Sequence, residues 1–558
     1  MFRRKTKYYG GSFSRRTREI NLRRLEHEEF DLAIIGGGIT GAGIARDAAM
    51  RGMKVALIEK GDFASGTSSK SSKMIHGGLR YLKQLNVRLV KESLSEREKL
   101  LCLAPHLVYP VPYLIPMYSG WMERFEVHIG LIGYDFFARD SSLERHRNLS
   151  PEEVLREEPL LREEDLSGGF IYYDCLVDDA RLTLANVKSA HEHGAVVTNY
   201  TRAIGLGKAT ELMHQVRFRE ALTGYEGVIC SRVVIAAAGP WTDEVLQLHD
   251  HAEPTLRPTK GVHLVFPKSR LNVNHVVVVP TEDKRIIFVV PQDEFSYVGT
   301  TDTDYTGSLD AVLVEAADVR YLLDALNQCF PSLSLGPADI VSSWAGVRPL
   351  LKEEGAPSEV SRDYHIALYE DGLGVITGGK LTTYRTMAES LIDEMLQRYA
   401  HRLQGDFQPC RTAKTALVGG EMAEFPSYLK VQCLGLVERW GLSLRTAEHM
   451  IQSYGRGHID ILALGFRDGK LLEPLWPGCP VVKAEVIYAV EDEMAVTLED
   501  FMSRRTDLMH FDGKGRLPLV VAKLMGKRLG WKRAHRKAEI RRYRQAIEEM
   551  FHFRSASD

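Results

Sequence analysis

Three glycines and one acid near the start of the chain have the spacing of a phosphate-binding turn. Gly36, Gly38 and Gly41 form the pattern G-x-G-x-x-G, and Glu59 follows about 20 residues later. Gly36 lets the backbone turn sharply, Gly38 lets a pyrophosphate approach helix amides, and Gly41 lets helix and strand pack closely. Glu59 can accept hydrogen bonds from the hydroxyls of a ribose. These residue types predict a dinucleotide site.

The segments around these residues have the order that such a site needs. Apolar runs at 32–35 and 55–58 predict two strands, and the proline-free stretch between them predicts a helix that starts at the glycines. The glycine spacing alone also fits a glycine-rich turn in another α/β sheet. Together, the two strands, the helix and the acid favour a Rossmann-like fold.

A run rich in glycine, serine and threonine follows Glu59 and extends to Tyr81. Its composition makes it a poor helix or strand before Leu79. Small hydroxyl side chains suit a backbone that lies against a flat ligand with a polar chain, and the alternative is a flexible polar loop. The predicted cofactor contacts in this run are Thr67, Ser68, Ser69, Ser72 and His76.

Length and composition indicate a globular chain with several cores. With 558 residues and 44% hydrophobic residues, the chain fits two to four domains. A net charge of −2 excludes a whole-chain nucleic-acid binder, although basic residues cluster at both ends. Seven scattered cysteines without a C-x-x-C pair indicate a reducing compartment and argue against a structural zinc site. No apolar run reaches the ~20 residues of a membrane-spanning helix.

The two ends of the chain differ from its middle. We expect residues 1–29 to be a disordered basic arm, in preference to an organellar transit segment. From about residue 391 to the end, the pattern predicts charged helices without a glycine fingerprint. The basic segment near the C-terminus fits a solvated helix face, and the alternative is docking on anionic lipid.

The middle of the chain changes its periodicity. Between 257 and 306, successive β-runs without helices predict an antiparallel sheet separate from the α/β part. Before it, four prolines between 105 and 116 exclude a continuous helix, and the aromatic stretch that follows predicts either a membrane contact or packing under a substrate domain. Two further glycine junctions can approach a cofactor, one at Gly239 and one at Gly379, which is followed by Lys380, Leu381 and Thr382.

Several motifs in order carry a resemblance to a known family. The motifs are GGGITGAGIARDAA, GTSSKSSKMIHGGLRYL, DDARL, AAAGPW, KGVH, GTTDTDY, GVRPL, SRDY and GGKLTTYR, with EDEMAVTLEDFMSRRT near the end. Together they resemble the FAD-dependent glycerol-3-phosphate dehydrogenases. The segment 512–515 lacks the acids of a calcium loop, so the bacterial type fits better than the calcium-regulated type.

The resemblance implies an architecture. We expect an α/β protein with a Rossmann-like FAD-binding domain of the glutathione-reductase/D-amino-acid-oxidase type, an antiparallel-sheet substrate domain and a helical C-terminal domain. The predicted division is a basic extension (1–29), a discontinuous FAD-binding domain (30–105, 171–255 and 342–390), a substrate domain (106–170 and 256–341) and a C-terminal domain (391–558).

The resemblance also implies roles for cations that could clamp a phosphorylated substrate. Arg80, Arg362 and Lys380 are expected near the phosphate and Arg348 near the reacting hydroxyl, with Tyr81 lining the same pocket. His263 is the candidate general base because imidazole titrates near working pH, and His76 is the alternative. No metal site is expected.

The expected reaction is oxidation of sn-glycerol 3-phosphate to dihydroxyacetone phosphate by non-covalent FAD, with electrons passed to a membrane quinone. The rivals are an oxidase that uses oxygen, an amine or hydroxy-acid oxidase of the same fold, and a non-enzymatic nucleotide-binding scaffold. We further expect a cytoplasmic protein attached peripherally to the inner face of the cytoplasmic membrane, without a nucleic-acid partner. The sequence leaves a homodimer open.

Overall fold

The computed structural model describes residues 13–79, 86–118, 121–138, 143–249, 256–352, 363–403, 405–511 and 518–555. The strands in chain order are β1 (Glu29–Ile35), β2 (Val55–Ile58), β3 (Met74–Ile75), β4 (Val108–Met117), β5 (Arg147–Leu149), β6 (Gly168–Val177), β7 (Val196–Thr198), β8 (Thr201–Thr210), β9 (Met213–Glu220), β10 (Glu226–Ala236), β11 (Leu256–Pro267), β12 (Val276–Pro280), β13 (Ile286–Gln292), β14 (Phe295–Gly299), β15 (Thr303–Asp304), β16 (Ser342–Leu351), β17 (Tyr364–Leu368) and β18 (Leu373–Gly378).

Helix α1 precedes β1, and the other helices lie between the strands and after the last of them. They are α1 (Arg15–His27), α2 (Ile39–Met50), α3 (Val87–Leu103), α4 (Trp121–Phe137), α5 (Pro151–Glu157), α6 (Asp179–Glu192), α7 (Thr242–Leu246), α8 (Ala316–Cys329), α9 (Tyr384–Arg398), α10 (Phe425–Trp440), α11 (Leu444–Tyr454), α12 (His458–Arg467), α13 (Lys483–Asp492), α14 (Leu508–Phe511), α15 (Leu519–Leu529) and α16 (Arg533–Glu549), with a π-helix at Asp500–Arg505.

The first sheet has the order β17-β18-β10-β1-β2-β7, and β8 and β9 extend from β10. The pairs from β18 to β7 are parallel, which agrees with the nearly continuous apolar sequence of β1 and β2. Leu32 and Ile34 pack in one core cluster with α2, α6 and α9. Ala33 and Ile35 pack on the opposite face in a cluster that includes Leu25 of α1. The Rossmann-like prediction is confirmed.

The second sheet has the order β15-β11-β14-β13-β12-β4-β6-β3, with β16 on β11 and β5 on β6. Its pairs are antiparallel except for β12 with β4, so the antiparallel prediction for 257–306 is confirmed. The proline-rich segment is strand β4, which pairs along its length with β6. It is therefore an extended segment of this sheet.

Three strands lie in a different sheet from the one that the sequence indicated. Strand β3 lies in the stretch 30–105, β6 overlaps the stretch 171–255, and β16 opens the stretch 342–390, all assigned to the FAD-binding domain. All three hydrogen bond within the second sheet, since β3 and β4 pair with β6 and β16 pairs with β11. We retain the discontinuous domain division as a proposal, with β3, β6 and β16 moved to the second sheet.

Helix α1 corrects the expectation of a disordered arm for residues 13–29. Ser14 caps the helix by accepting a hydrogen bond from the backbone N–H of Thr17. The buried guanidinium of Arg18 lies 2.6 Å from the Glu220 carboxylate, and Leu25 is fully buried. This segment folds because its contacts combine a buried ion pair with two buried apolar side chains, Phe13 and Leu25, which the composition does not reveal. Residues 1–12 lie outside the described part of the chain.

The C-terminal helices contact the first sheet through a buried charge network. The Asp62 carboxylate lies 2.7 Å from Arg505 Nη1 and 2.8 Å from Arg504 Nε, both in the π-helix. Burial alone would raise the pKa of Asp62, but the two guanidinium groups outweigh burial and lower it to about 2. The network therefore requires an ionised Asp62.

Replacing Asp62 by Asn should destabilise the folded protein strongly. Two buried guanidinium groups lose their shared carboxylate, although Arg504 keeps Asp500 and Arg505 keeps Glu493 as further partners, and breaking a buried ion pair costs about 3–5 kcal/mol. The measurement is the free energy of unfolding from chemical denaturation. Glu226→Gln is the matched control, because it removes a surface ion pair with Arg219 whose side chains are 52% and 58% exposed, and it should cost less than ~1 kcal/mol. Equal losses would contradict the assigned role of Asp62.

Candidate active site

A cavity of about 2240 Å³ lies between the two sheets. Its wall on one side is formed by the carboxyl ends of parallel strands, including Ile35, Ile58 and Ile376. The wall on the other side includes Phe288 and Arg348 from the second sheet. Ligands of open α/β sheets bind at the carboxyl ends of their strands, so this cavity is the candidate active site.

The glycine turn points the amino end of helix α2 into the cavity. Gly36 has a φ of +119°, and a Cβ at Gly41 would lie 1.9 Å from the carbonyl oxygen of Gly36. The turn therefore excludes larger residues at both positions. Gly38 caps α2 without a side-chain bond, and the N–H of Ile39 donates to Ser68 Oγ at 2.9 Å. These amides can hold a pyrophosphate.

Glu59 ends β2 and faces the same cavity. Its two carboxylate oxygens accept hydrogen bonds from the N–H of Gly37 at 2.7 Å and of Gly61 at 2.8 Å. Burial raises the pKa of this carboxyl, and the two amide bonds oppose that shift. The backbone bonds fix the carboxylate, and its remaining lone pairs can accept the hydroxyls of a ribose.

The hydroxyl-rich run forms a wall of the cavity and bonds to strand β16 and to helix α2. Thr67 Oγ1 donates to the carbonyl oxygen of Val347 at 2.6 Å, and Ser68 binds Ile39. Ser69 is buried, 7% exposed, and does not line the cavity. The other predicted cofactor residues that line it are Gly36, Gly38, Glu59, Thr67, Ser68, Ser72, His76, Gly239, Gly379, Lys380, Leu381 and Thr382. Gly41 does not line the cavity, and its missing side chain lets helix α2 pack closely on the backbone of Gly36.

Two predicted substrate cations reach the cavity from different sheets. Arg348 comes from β16, and its Nη1 donates to Asp302 Oδ1 at 2.8 Å. Lys380 follows β18, and its ammonium donates to Ser93 Oγ at 3.3 Å. The structure thus brings these two cations to one cavity. Arg80, Tyr81 and Arg362 lie outside the described residues, and their roles remain predictions.

His263 lies behind the cavity wall. It is 2% exposed, stacks on Trp344 at 4.8 Å between ring centroids, and its Nε2 lies 2.8 Å from Ser72 Oγ. Burial lowers its pKa well below the ordinary value, and the cations of Arg348 and Lys73 add to this shift. His263 therefore contacts the cavity wall through Ser72, whereas His76 lines the cavity directly.

Sequence reasoning missed several residues that line the cavity. Lys70 belongs to the hydroxyl run, and Asp302 belongs to the GTTDTDY motif. A lysine between two pairs of serines was a usable signal for Lys70. An apolar part of the wall had no such signal, because it combines residues far apart in sequence. Its members are Ile115, Val127, Ile129, Val278, Ile286 and Phe288.

Comparison with known proteins assigns the family. Residues 31–385 match the family described as FAD dependent oxidoreductase, and residues 410–536 match the C-terminal domain of alpha-glycerophosphate oxidase. The chain is an FAD-dependent oxidoreductase of this family. The family and the cofactor predicted from the motifs are confirmed.

Individual relatives of this FAD-dependent oxidoreductase carry related names. Aerobic glycerol-3-phosphate dehydrogenase of Staphylococcus aureus (strain USA300) is 39% identical over 550 residues, which are 96% of this chain and 97% of that protein. The structure of glycerol-3-phosphate dehydrogenase from Bacillus halodurans complexed with FAD aligns with a TM-score of 0.81 at 31% identity, covering 98% and 100% of the two chains. L-alpha-glycerophosphate oxidase from Mycoplasma pneumoniae with FAD bound shares the fold, with a TM-score of 0.55 at 21% identity and coverage of 70% and 99%.

The residues of the cavity fit FAD. The amides at the start of α2 fit the pyrophosphate, fixed Glu59 fits a ribose, and the hydroxyl run with Thr382 fits the polar chain and ring. Thr382 Oγ1 accepts from the N–H of His76 at 3.2 Å, which joins the second glycine junction to the hydroxyl run. The hydroxyl run and the Gly379 junction thus form one continuous site.

Proposed function

We propose that this FAD-dependent oxidoreductase oxidises sn-glycerol 3-phosphate to dihydroxyacetone phosphate. The observation that carries the proposal is one cavity in which residues suited to FAD adjoin two cations, Arg348 and Lys380. A phosphorylated alcohol needs fixed cations, whereas an amine or an uncharged alcohol does not. The named relatives, which this chain matches over nearly its whole length, support the same substrate.

The residues divide the work of binding and proton removal. Bound FAD supplies the hydride acceptor. Lys380 holds the phosphate as a point charge, and Arg348 orients the oxygen of the reacting alcohol through its planar N–H groups. Arg80 and Arg362 join Lys380 at the phosphate by the family resemblance. The walls from both sheets exclude water from the reacting carbon.

The proton of the alcohol needs an acceptor, and two histidines are candidates. His263 acts through Ser72, whose hydroxyl passes the proton to His263 Nε2 at 2.8 Å. This role needs the tautomer with its proton on Nδ1, an atom that is buried without a hydrogen-bond partner among the described residues. Such an unpaired N–H costs about 1–3 kcal/mol. His76 is the alternative base with direct access to the cavity.

We propose a membrane quinone as the electron acceptor, with oxygen as the alternative. Helix α4 carries an exposed apolar stripe at 3- and 4-residue spacing, and its members Met122, Phe125, Ile129, Ile132 and Phe136 are 52–63% exposed. Ile129 also lines the apolar part of the cavity. A lipid surface that covers this stripe would bring a quinone to the cavity. No helix in the described part of the chain is long and apolar enough to cross a bilayer, so we propose peripheral attachment.

Arg348→Ala should abolish substrate oxidation while FAD remains bound. Losing the charge-assisted bonds to the substrate should slow flavin bleaching by about 100-fold or more. The measurement is flavin absorbance after anaerobic mixing with sn-glycerol 3-phosphate. Arg257→Ala is the control, because Arg257 pairs with Asp304 near the edge of the same sheet and does not line the cavity. A wild-type protein whose flavin stays oxidised would overturn the proposed function.

A base role for His263 predicts a particular pH dependence. The base must be neutral, and the lowered pKa of His263 keeps it neutral even at pH values below its ordinary pKa of about 6.5. The rate of flavin bleaching should thus persist below pH 6.5 and fall only as the pH drops through the lowered pKa. Ser72→Ala and His263→Gln should each slow bleaching about 10²–10⁴-fold, and the double variant no further. Additive losses would assign the base to another residue, with His76→Gln as the next test.

The apolar stripe of α4 predicts separate effects on reduction of the flavin by substrate and on its reoxidation by quinone. Phe125→Ser, Ile132→Ser and Phe136→Ser together should reduce co-sedimentation with lipid vesicles by about 100-fold or more, because each exposed side chain loses ~1.5–3 kcal/mol of burial. Oxidation by vesicle-embedded quinone should fall, while anaerobic bleaching stays unchanged. Ile20→Ser, Leu212→Ser and Leu222→Ser form the control at exposed apolar positions elsewhere. Equal binding of both triple variants would refute the docking face, and a high peroxide yield in air with no quinone activity would favour the oxidase.

A further inference from the structure

Ser72 lies between two residues that are both bound by Asp179. The Asp179 carboxylate, at the start of α6, accepts through Oδ2 from Ser71 Oγ at 2.6 Å and from the N–H of Ser71 at 3.2 Å. Its other oxygen accepts from the Lys73 ammonium at 2.8 Å and from the N–H of Ala180 at 2.9 Å. The carboxylate is fully buried, so one fixed group holds the residues on both sides of Ser72.

The backbone at Lys73 has a conformation that needs such support. Its φ of +53° lies in the left-handed region, which is costly for a residue with a side chain. The N–H of Lys73 donates to Ser71 Oγ at 2.9 Å, and its carbonyl oxygen accepts from the N–H of Val177 at 2.9 Å. Tyr297 Oη donates to the carbonyl oxygen of Ser72 at 3.1 Å. These bonds fix the peptide units around Ser72 in one conformation.

This conformation directs the Ser72 hydroxyl at His263. Ser72 lines the cavity, and its Oγ lies 2.8 Å from His263 Nε2. A hydroxyl that passes on a proton must meet its donor and its acceptor at hydrogen-bond distance, and a misplacement of about 1 Å can slow a reaction about 100-fold. Asp179 does not line the cavity, so we do not expect it to touch the substrate.

We propose that Asp179 is a positioning residue for proton transfer, because it fixes the turn at 71–73 so that the Ser72 hydroxyl is aligned with His263. This inference rests on the proposed function, with His263 as the base, and it assigns a role to the DDARL motif. The proton of the alcohol passes to Ser72 Oγ as the proton of Ser72 passes to His263 Nε2, and the reacting carbon loses its hydride to the acceptor already assigned.

The first test is anaerobic flavin bleaching by sn-glycerol 3-phosphate. Asp179→Asn should lower the bleaching rate at saturating substrate by about 10- to 100-fold, while the substrate concentration for half-maximal rate and the retention of FAD stay near the wild-type values. In a Ser72→Ala background the same substitution should cause no further loss, because the hydroxyl that it positions is absent. The variant should fold, since Asp507 Oδ1 lies 3.6 Å from the Lys73 ammonium and leaves it a second carboxylate.

A rescue experiment tests the role of the backbone. Glycine adopts a positive φ at little cost, so Lys73→Gly favours the turn without the ion pair. Added to Asp179→Asn, it also removes the ammonium that has lost its partner, and it should recover the bleaching rate by about 5-fold or more. Lys73→Ala in the same background removes the same charge but keeps the strain, and it should recover nothing. Equal recovery by both substitutions would overturn the inference.

Asp318→Asn is the matched control for the loss of a buried ion pair. Asp318 lies in the first turn of α8 and pairs with the buried ammonium of Lys260 at 2.7 Å, and neither residue lines the cavity. This variant should lose stability and keep the wild-type bleaching rate. If it slows bleaching as much as Asp179→Asn does, general loosening of the fold explains both variants and the inference is overturned.

A measurement without substrate separates this inference from the proposed function. Hydrogen–deuterium exchange of the FAD-loaded protein should become about 10-fold faster or more in the segment 71–75 of Asp179→Asn, and unchanged exchange there overturns the inference. If the wild-type flavin is not bleached, the proposed function fails, and the exchange rates still decide whether Asp179 fixes the turn. If the wild type is bleached but the losses from Asp179→Asn and Ser72→Ala add, the function stands and the positioning role is overturned.

Discussion

The hydroxyl-rich loop between the two sheets fixes the distance on which the whole site depends. The consecutive residues Thr67 and Ser68 bridge the two halves of the cavity, because Ser68 accepts from the first amide of α2 and Thr67 donates to the backbone of β16. The backbone of Lys70 packs so closely on Gly346 that a Cβ at Gly346 would lie 2.9 Å from the Lys70 carbonyl oxygen. Because β16 also carries Arg348, this loop sets the position of Arg348 relative to the start of α2.

The sequence predicted those parts of the fold whose signals are local. The glycine fingerprint was readable because Gly36 and Gly41 each meet a backbone atom that excludes a Cβ. The antiparallel sheet was readable because its strands follow one another without helices. The position of β16 was not readable, since an apolar run does not reveal which sheet it joins. Helix α1 was misjudged because Arg18 is buried against Glu220, although most arginines are exposed.

The candidate site shows the same division between local and long-range information. Residue types in motifs indicated which groups face the cofactor, and most of them do line the cavity. The position of His263 behind Ser72 depends on strand pairing, in which His263 faces both Trp344 and Gly299. The pairing of Arg348 with Asp302 also joins residues 46 positions apart. Chemistry that depends on such pairs can be predicted only once the register of the paired strands is known.

The contact between Asp62 and the π-helix has a consequence for biosynthesis. Asp62 is three residues from Glu59, and its partners are added more than 400 residues later, as the separation of 443 positions to Arg505 shows. During translation, the nucleotide-binding strands emerge long before the guanidinium groups that neutralise this carboxylate. The ion pairs of Asp62 with Arg504 and Arg505 can therefore form only after nearly the entire polypeptide has left the ribosome.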